Sequence, residues 1–235
     1  MSRYFWSMLF ASLMVTGPVA AQAEDKPATE ISMFDGKSLS GWVGREGLWS
    51  VVDGAIVGRT TAEDPLKKNT FLIWEGDVPS DFELHLSYWV ESGNSGVQYR
   101  SRIVEGAPDF VVGGYQADIE AANNYTGINY EERGRGILAQ RGQRVTIAAD
   151  GSKETETFGD AKEIAKKFHT DGWNEYRIVA QGGRLQHFIN DTLTCEVIDG
   201  QPDRAASDGV VALQLHVGPP MLIRFKDFKL IPLGK

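Results

Sequence analysis

This 235-residue sequence is short of cysteine and histidine, and its positive charge is outnumbered by negative. Its one thiol, Cys195 in the apolar stretch TLTCEVI, excludes an internal disulfide, so a packed core must supply the stability. No Cys/His zinc spacing, glycine-rich phosphate loop or internal repeat is present. Lys and Arg number 24 against 32 Asp and Glu, a formal net charge of −8. Nucleic acid and anionic lipid both reward a basic surface, so neither is expected as a partner. Long apolar runs are missing except near the N-terminus, where YFWSMLFASLMV follows Arg3 and Gly17-Pro18 follows the run. That run is too short to span a bilayer comfortably, and Ala21-Gln22-Ala23 fits the small-x-small cleavage rule. Residues 1–23 are therefore expected to be a signal peptide, with an uncleaved anchor as the competing reading. Residues 24–30 would be a disordered polar linker and 31–235 the mature domain. The product would be periplasmic or secreted, with no stable membrane insertion after processing.

What is present reads as strand. Hydrophobic residues at 42% and aromatics at 10% suit a globular chain. LWSVVDGAIVGR holds Asp53-Gly54 between two β-rich runs, the signal of a type I′ hairpin. DFELHLSYWV alternates Phe82, Leu84, Leu86 and Tyr88 against Glu83, His85 and Ser87. NEYRIVA, RLQHFI and TLTCEVI, joined by Gln181-Gly182-Gly183 and Asn190-Asp191, predict a three-stranded meander. The sole helical candidate is 159–168, GDAKEIAKKF. Short strands with Gly and Asn turns predict an all-β sandwich of two antiparallel sheets.

Successive strand side chains point to opposite faces, so an alternating polar set lines one face. Three runs carry such a set: Gln98 and Arg100; Gln116, Asp118 and Glu120; Gln214 and His216. If these strands share a sheet, amides, Arg, carboxylates and imidazole converge on one groove. That is the donor and acceptor mixture that sugar hydroxyls require. Gln98, Arg100, Gln116, Glu131, Arg141 and Gln214 are candidate substrate-binding residues, and His216, Asp118 and Glu120 candidate catalytic ones. The competing reading of each strand is a merely solvated face, with Arg100 and Arg141 as ion-pair partners of Asp118 or Glu120. His187, between Leu185 and Ile189, reads as a core residue. A binding module would instead rely on aromatic platforms such as Trp42, Trp74, Trp89 or Tyr125. An ordinary glycosidase would use Asp118 and Glu120 as a carboxylate pair.

Six segments in order, MFDGKSLSGW, GNSGVQYRS, GGYQADIE, GWNEYRI, RLQHFIN and GVVALQLHVGPPMLIRFKDFKL, resemble the 3-keto-disaccharide hydrolase domain family over about residues 31–232. The resemblance departs at Asn190-Asp191, where the family usually has Asn-Gly, and at Gln116-x-Asp118-x-Glu120, where many members have Glu-x-Gln-x-Asp. It implies a concanavalin A-like jelly roll and a small-molecule carbohydrate substrate. It further implies cleavage of 3-keto-glycosides: abstraction of the acidic C2 proton, expulsion of the C1 substituent and hydration. Such chemistry needs a near-neutral base, for which His216 is suited, and a positive group beside the ketone oxygen. Arg100 could supply that group, as could a divalent metal held by Asp118, Glu120 and His216. Oxygen ligands would favour Ca, Mg or Mn.

Overall fold

The computed structural model describes Met1, residues 29–107 and residues 110–234. The expected signal peptide lies outside the described residues except for Met1, and so does the linker as far as residue 28. In chain order the strands are β1 (Ile31–Ser32), β2 (Trp42–Val43), β3 (Trp49–Val52), β4 (Ala55–Arg59), β5 (Thr70–Trp74) and β6 (Phe82–Ser92). There follow β7 (Asn94–Ile103), β8 (Val112–Glu120), β9 (Asn129–Glu132), β10 (Gly136–Ala139), β11 (Gln143–Ile147) and β12 (Lys153–Thr157). After α1 (Ala161–Ala165) come β13 (Asn174–Gln181), β14 (Arg184–Ile189), β15 (Thr192–Asp199), β16 (Val210–Leu215) and β17 (Leu222–Pro232).

They form two sheets packed face to face. One runs β12-β11-β15-β14-β13-β6-β17-β4-β3, with β1 also on β17; the other runs β10-β9-β8-β7-β16-β5-β2. The all-β sandwich expected from the alternation is the fold observed. Every pair is antiparallel except β11 with β15, which is parallel. The chain reaches that pair by crossing between sheets at Gly142. There φ is 77°, and a Cβ would meet the Gly159 carbonyl, so only glycine makes the crossing.

The core is the set of inward residues that alternation selects. Leu84, Leu86, Tyr88, Ile178 and Phe225 of one sheet meet Val97, Tyr99, Ala117, Ile119 and Leu213 of the other, all buried. Asp53 and Gly54 have φ of 50° and 76°, the two positive values of a type I′ turn, and Asn190-Asp191 repeats this with 48° and 59°. Cys195 is buried on β15, and burial pushes its thiol up. His187 is fully buried. Its Nδ1 lies 3.2 Å from the Ile128 carbonyl, which can only accept, so Nε2 accepts from the Tyr99 hydroxyl at 2.9 Å. Burial holds its pKa down to about 3, so it is a neutral core residue.

The predicted helix over 159–168 is shortened to the five residues of α1. Asp160 caps it by accepting from the Lys162 and Glu163 amides, and the end of the segment serves to bury Phe168. The outer face of the second sheet is divided. Phe71, Ile73, Val112 and Ala212 form a small apolar cluster there, with Val43, Phe110 and Val210 packed against it. The rest of that face is polar apart from Ile137, which pairs with Tyr130.

Candidate functional site

The polar part of this face is a groove of about 320 Å³. Its floor is set by register. Gln98 pairs with Gln116, and Gln116 with Tyr130, so these side chains share the outer face of β7, β8 and β9. Gln116, Asp118, Gln214 and His216 line the groove, as the alternation predicted, together with Asn69, Asn94, Tyr130 and Glu132. Tyr125, Ile128 and Ile137 form an apolar wall.

A chain of amides orients the floor. Ser101 Oγ donates to Gln98 Oε1 and Gln98 Nε2 to Gln116 Oε1, both at 2.6 Å. Gln116 must therefore present Nε2, which donates to Asp118 Oδ1 at 2.5 Å and approaches Gln214 Oε1 at 3.4 Å. Gln116 lies flat because Gly96 leaves room for it; a Cβ at Gly96 would stand 2.6 Å from Gln116 Cγ. Glu132 accepts from Asn69 Nδ2 and Gln214 Nε2 at 3.4 Å.

Asp118 is the unusual group. Burial raises its pKa from 3.8 to about 7, against the lowering effect of the Gln116 amide, and the charges of Glu132 and Glu120 raise it further. Burial, then the same Glu132 with Asp118, also raises the Tyr130 hydroxyl. His216 Nδ1 lies 2.6 Å from the Val217 carbonyl, so Nδ1 holds the proton and Nε2 of the neutral ring keeps a lone pair.

Four expected site residues stand elsewhere. A bulge between Tyr99 and Arg102 turns Arg100 off the groove face, with φ at 45°. Its guanidinium, 1% exposed, donates to the carbonyls of Ser80, Gly182 and Ala206 and pairs with Asp81 at 3.0 Å. Glu131 pairs across from Tyr115 and shares its inward face. It binds Arg135 at 2.5 Å, and Arg135 in turn binds Asp199 at 2.6 Å. Glu120 ends β8, and its Oε2 accepts from the Asn124 and Tyr125 amides at 2.8 and 3.2 Å. Arg141 donates to the Thr126 carbonyl at 2.7 Å. Gln98 is near the groove but beneath it, fully buried. The metal set Asp118, Glu120 and His216 does not converge, because Glu120 is committed to its turn. Among the described residues no three His, Cys, Asp or Glu side chains group to hold a metal ion.

The description of the family whose model matches, the 3-keto-alpha-glucoside-1,2-lyase-like domain, agrees with this sugar-type groove, and the match spans residues 29–231. The chain belongs to that family. A search of curated proteins found no match. Among solved structures, a Bacillus subtilis protein of unknown function with a galectin-like fold superposes with a TM-score of 0.58 at 9% identity, covering 88% of this chain and 97% of that one. A candidate glycosyl hydrolase from Parabacteroides distasonis gives 0.55 at 19% identity, covering 87% and 100%. The carbohydrate-binding module CBM66 from Bacillus subtilis gives 0.51 at 16%, covering 80% and 93%. At these identities the likenesses establish the jelly-roll fold, and the family makes this lyase-like domain a carbohydrate-related one. Among its described residues no helix is long and apolar enough to cross a membrane.

Glu132, Tyr130 and Asn69 are groove residues that sequence reasoning passed over. Tyr130 and Glu132 alternate about Glu131, so strand parity puts the two on one face without saying which face that is. Asn69 precedes β5 and carries no such signal.

Proposed function

We propose that this domain is an exported enzyme that cleaves 3-keto-glycosides by elimination and hydration. The observation that carries the reading is Asp118, a buried carboxyl with its pKa near 7, in one groove with the free Nε2 of His216. Nε2 takes the C2 proton, the C1–O bond breaks, and Asp118 delivers its proton to the departing oxygen. Amide N–H groups of Asn69 and Gln214 and the Tyr130 hydroxyl are the donors available to the enolate oxygen. Water then adds at C1: Asp118 takes its proton, and His216 returns one to C2. One water is consumed and both groups are reset. The neutral donors of Asn69, Gln214 and Tyr130 take the place of the positive group expected beside the ketone oxygen, since Arg100 lies elsewhere, and no step uses a metal.

Two carboxylates in one groove, Asp118 and Glu132, favour a two-carboxylate glycosidase as the second reading. Incubation with a 3-keto-glycoside and with its unoxidised parent, each with and without chelator, separates the two. Cleavage of the keto form alone, unaffected by chelator, is expected. Cleavage of the unoxidised sugar would favour the second reading. In deuterated water His216→Ala should lose exchange at C2; exchange at the parent rate would remove His216 from the base role. Export predicts a mature chain beginning at Glu24, and mass spectrometry finding Met1 in the exported protein would refute it.

A further inference from the structure

Glu120 and Arg141 lie outside the groove, yet both converge on the turn that follows β8. Glu120 Oε2 holds the Asn124 and Tyr125 amides at 2.8 and 3.2 Å. Thr126 Oγ1 accepts from the Glu120 amide at 2.8 Å and donates to the Glu120 carbonyl at 3.0 Å. Arg141 Nη1 reaches Asn123 Oδ1 at 3.3 Å and the Thr126 carbonyl at 2.7 Å. An exposed turn is thus fastened by three side chains, and what it carries to the edge of the groove is Tyr125. That ring is 46% exposed and lines the groove beside Ile128 and Ile137. Of the aromatics considered as sugar platforms, Trp42 is buried in the core with Trp74 packed against it at 5.3 Å, and Trp89 belongs to the opposite sheet, its ring 6.2 Å from Trp173.

A pyranose has one face of C–H groups and an equator of hydroxyls. An aromatic ring beside a polar floor matches both, the ring meeting the C–H face and the amides the hydroxyls. The reacting sugar ring must lie over Asp118 and His216 on the floor. We infer that Tyr125 is the stacking platform for the ring of the leaving group. This rests on the groove being a glycoside site, and Glu120 and Arg141 are then positioning residues that act through the turn.

The test measures binding apart from turnover, so that failure of the cleavage chemistry leaves it intact. Maltose and methyl α-glucoside are titrated into the parent, Tyr125→Phe, Tyr125→Ala and Glu120→Ala proteins and followed by NMR. Tyr125→Ala should weaken maltose about fivefold or more and methyl α-glucoside less than about twofold, with Tyr125→Phe close to the parent for both. Glu120→Ala should repeat the maltose-selective loss. Equal losses for the two sugars, no loss for maltose, or no binding of maltose by the parent would overturn the inference.

Discussion

At pH 8 the Asp118→Asn protein should melt about 5–10 °C above its parent while turning over a 3-keto-glycoside about a hundredfold slower or worse. The two effects share one cause. Folding raises the Asp118 pKa from 3.8 to about 7, so the folded state binds this proton more tightly than the unfolded chain does. The associated stability is complete below about pH 4 and is lost as pH rises through 7, amounting to about 2–4 kcal/mol. An amide keeps the shape and cannot ionise, so the gain should be large at pH 8 and nearly absent at pH 4. Thermal melts of both proteins at the two pH values check this, and equal melting temperatures at pH 8 would mean that folding does not raise the Asp118 pKa. The same protonated carboxyl is the proposed acid, so the parent's kcat should fall as pH rises through about 7. A nitrophenyl leaving group, which needs no proton, should restore much of the lost rate in Asp118→Asn. A rate that instead climbs through pH 7 in the parent and not in Asp118→Asn would make Asp118 a base.

Arg100→Ala should be the most damaging single change outside the groove, costing about 3–5 kcal/mol. It leaves the carbonyls of Ser80, Gly182 and Ala206 without their donor and Asp81 without its charge partner. Ser80 and Asp81 lead into β6 and Gly182 joins β13 to β14, all in the first sheet, and Ala206 lies in the connection from β15 to β16. Arg100 belongs to the second sheet, so the side chain fastens the sandwich at one end. Arg100→Lys should recover only part of the loss, since one ammonium cannot reproduce a planar fork. Denaturant titration measures the cost. Molecules that remain folded should keep the parental kcat, because Arg100 touches nothing in the groove. A large fall in kcat with unchanged stability would return Arg100 to the site.

Alternation alone located Gln116, Asp118, Gln214 and His216, because strand parity holds wherever a strand is regular. It failed where the strand is not regular. The bulge that rotates Arg100 adds one residue to β7, and only Gly113-Gly114 on the partner strand hints at it. Glu120 has the right parity, but it ends its strand, where the nearest unpaired donors are the amides of the next turn. Glu131 is the inward neighbour of the groove residue Glu132, one residue out of parity with it. The turn between β8 and β9 resets the parity, and the inward Asn129 and Glu131 are polar, so no hydrophobic pattern marks which side is inside. The parallel pairing of β11 with β15 depends on where the chain crosses between sheets, which short alternating runs do not encode.

The sealed position of Cys195 has a practical consequence. A thiol in the middle of β15 is out of reach of any reagent until the two layers part, and the chain has no other thiol to confuse the signal. The speed at which a maleimide labels the native protein therefore times the parting of the layers. One residue, unaltered, serves as a clock for the opening of the whole domain.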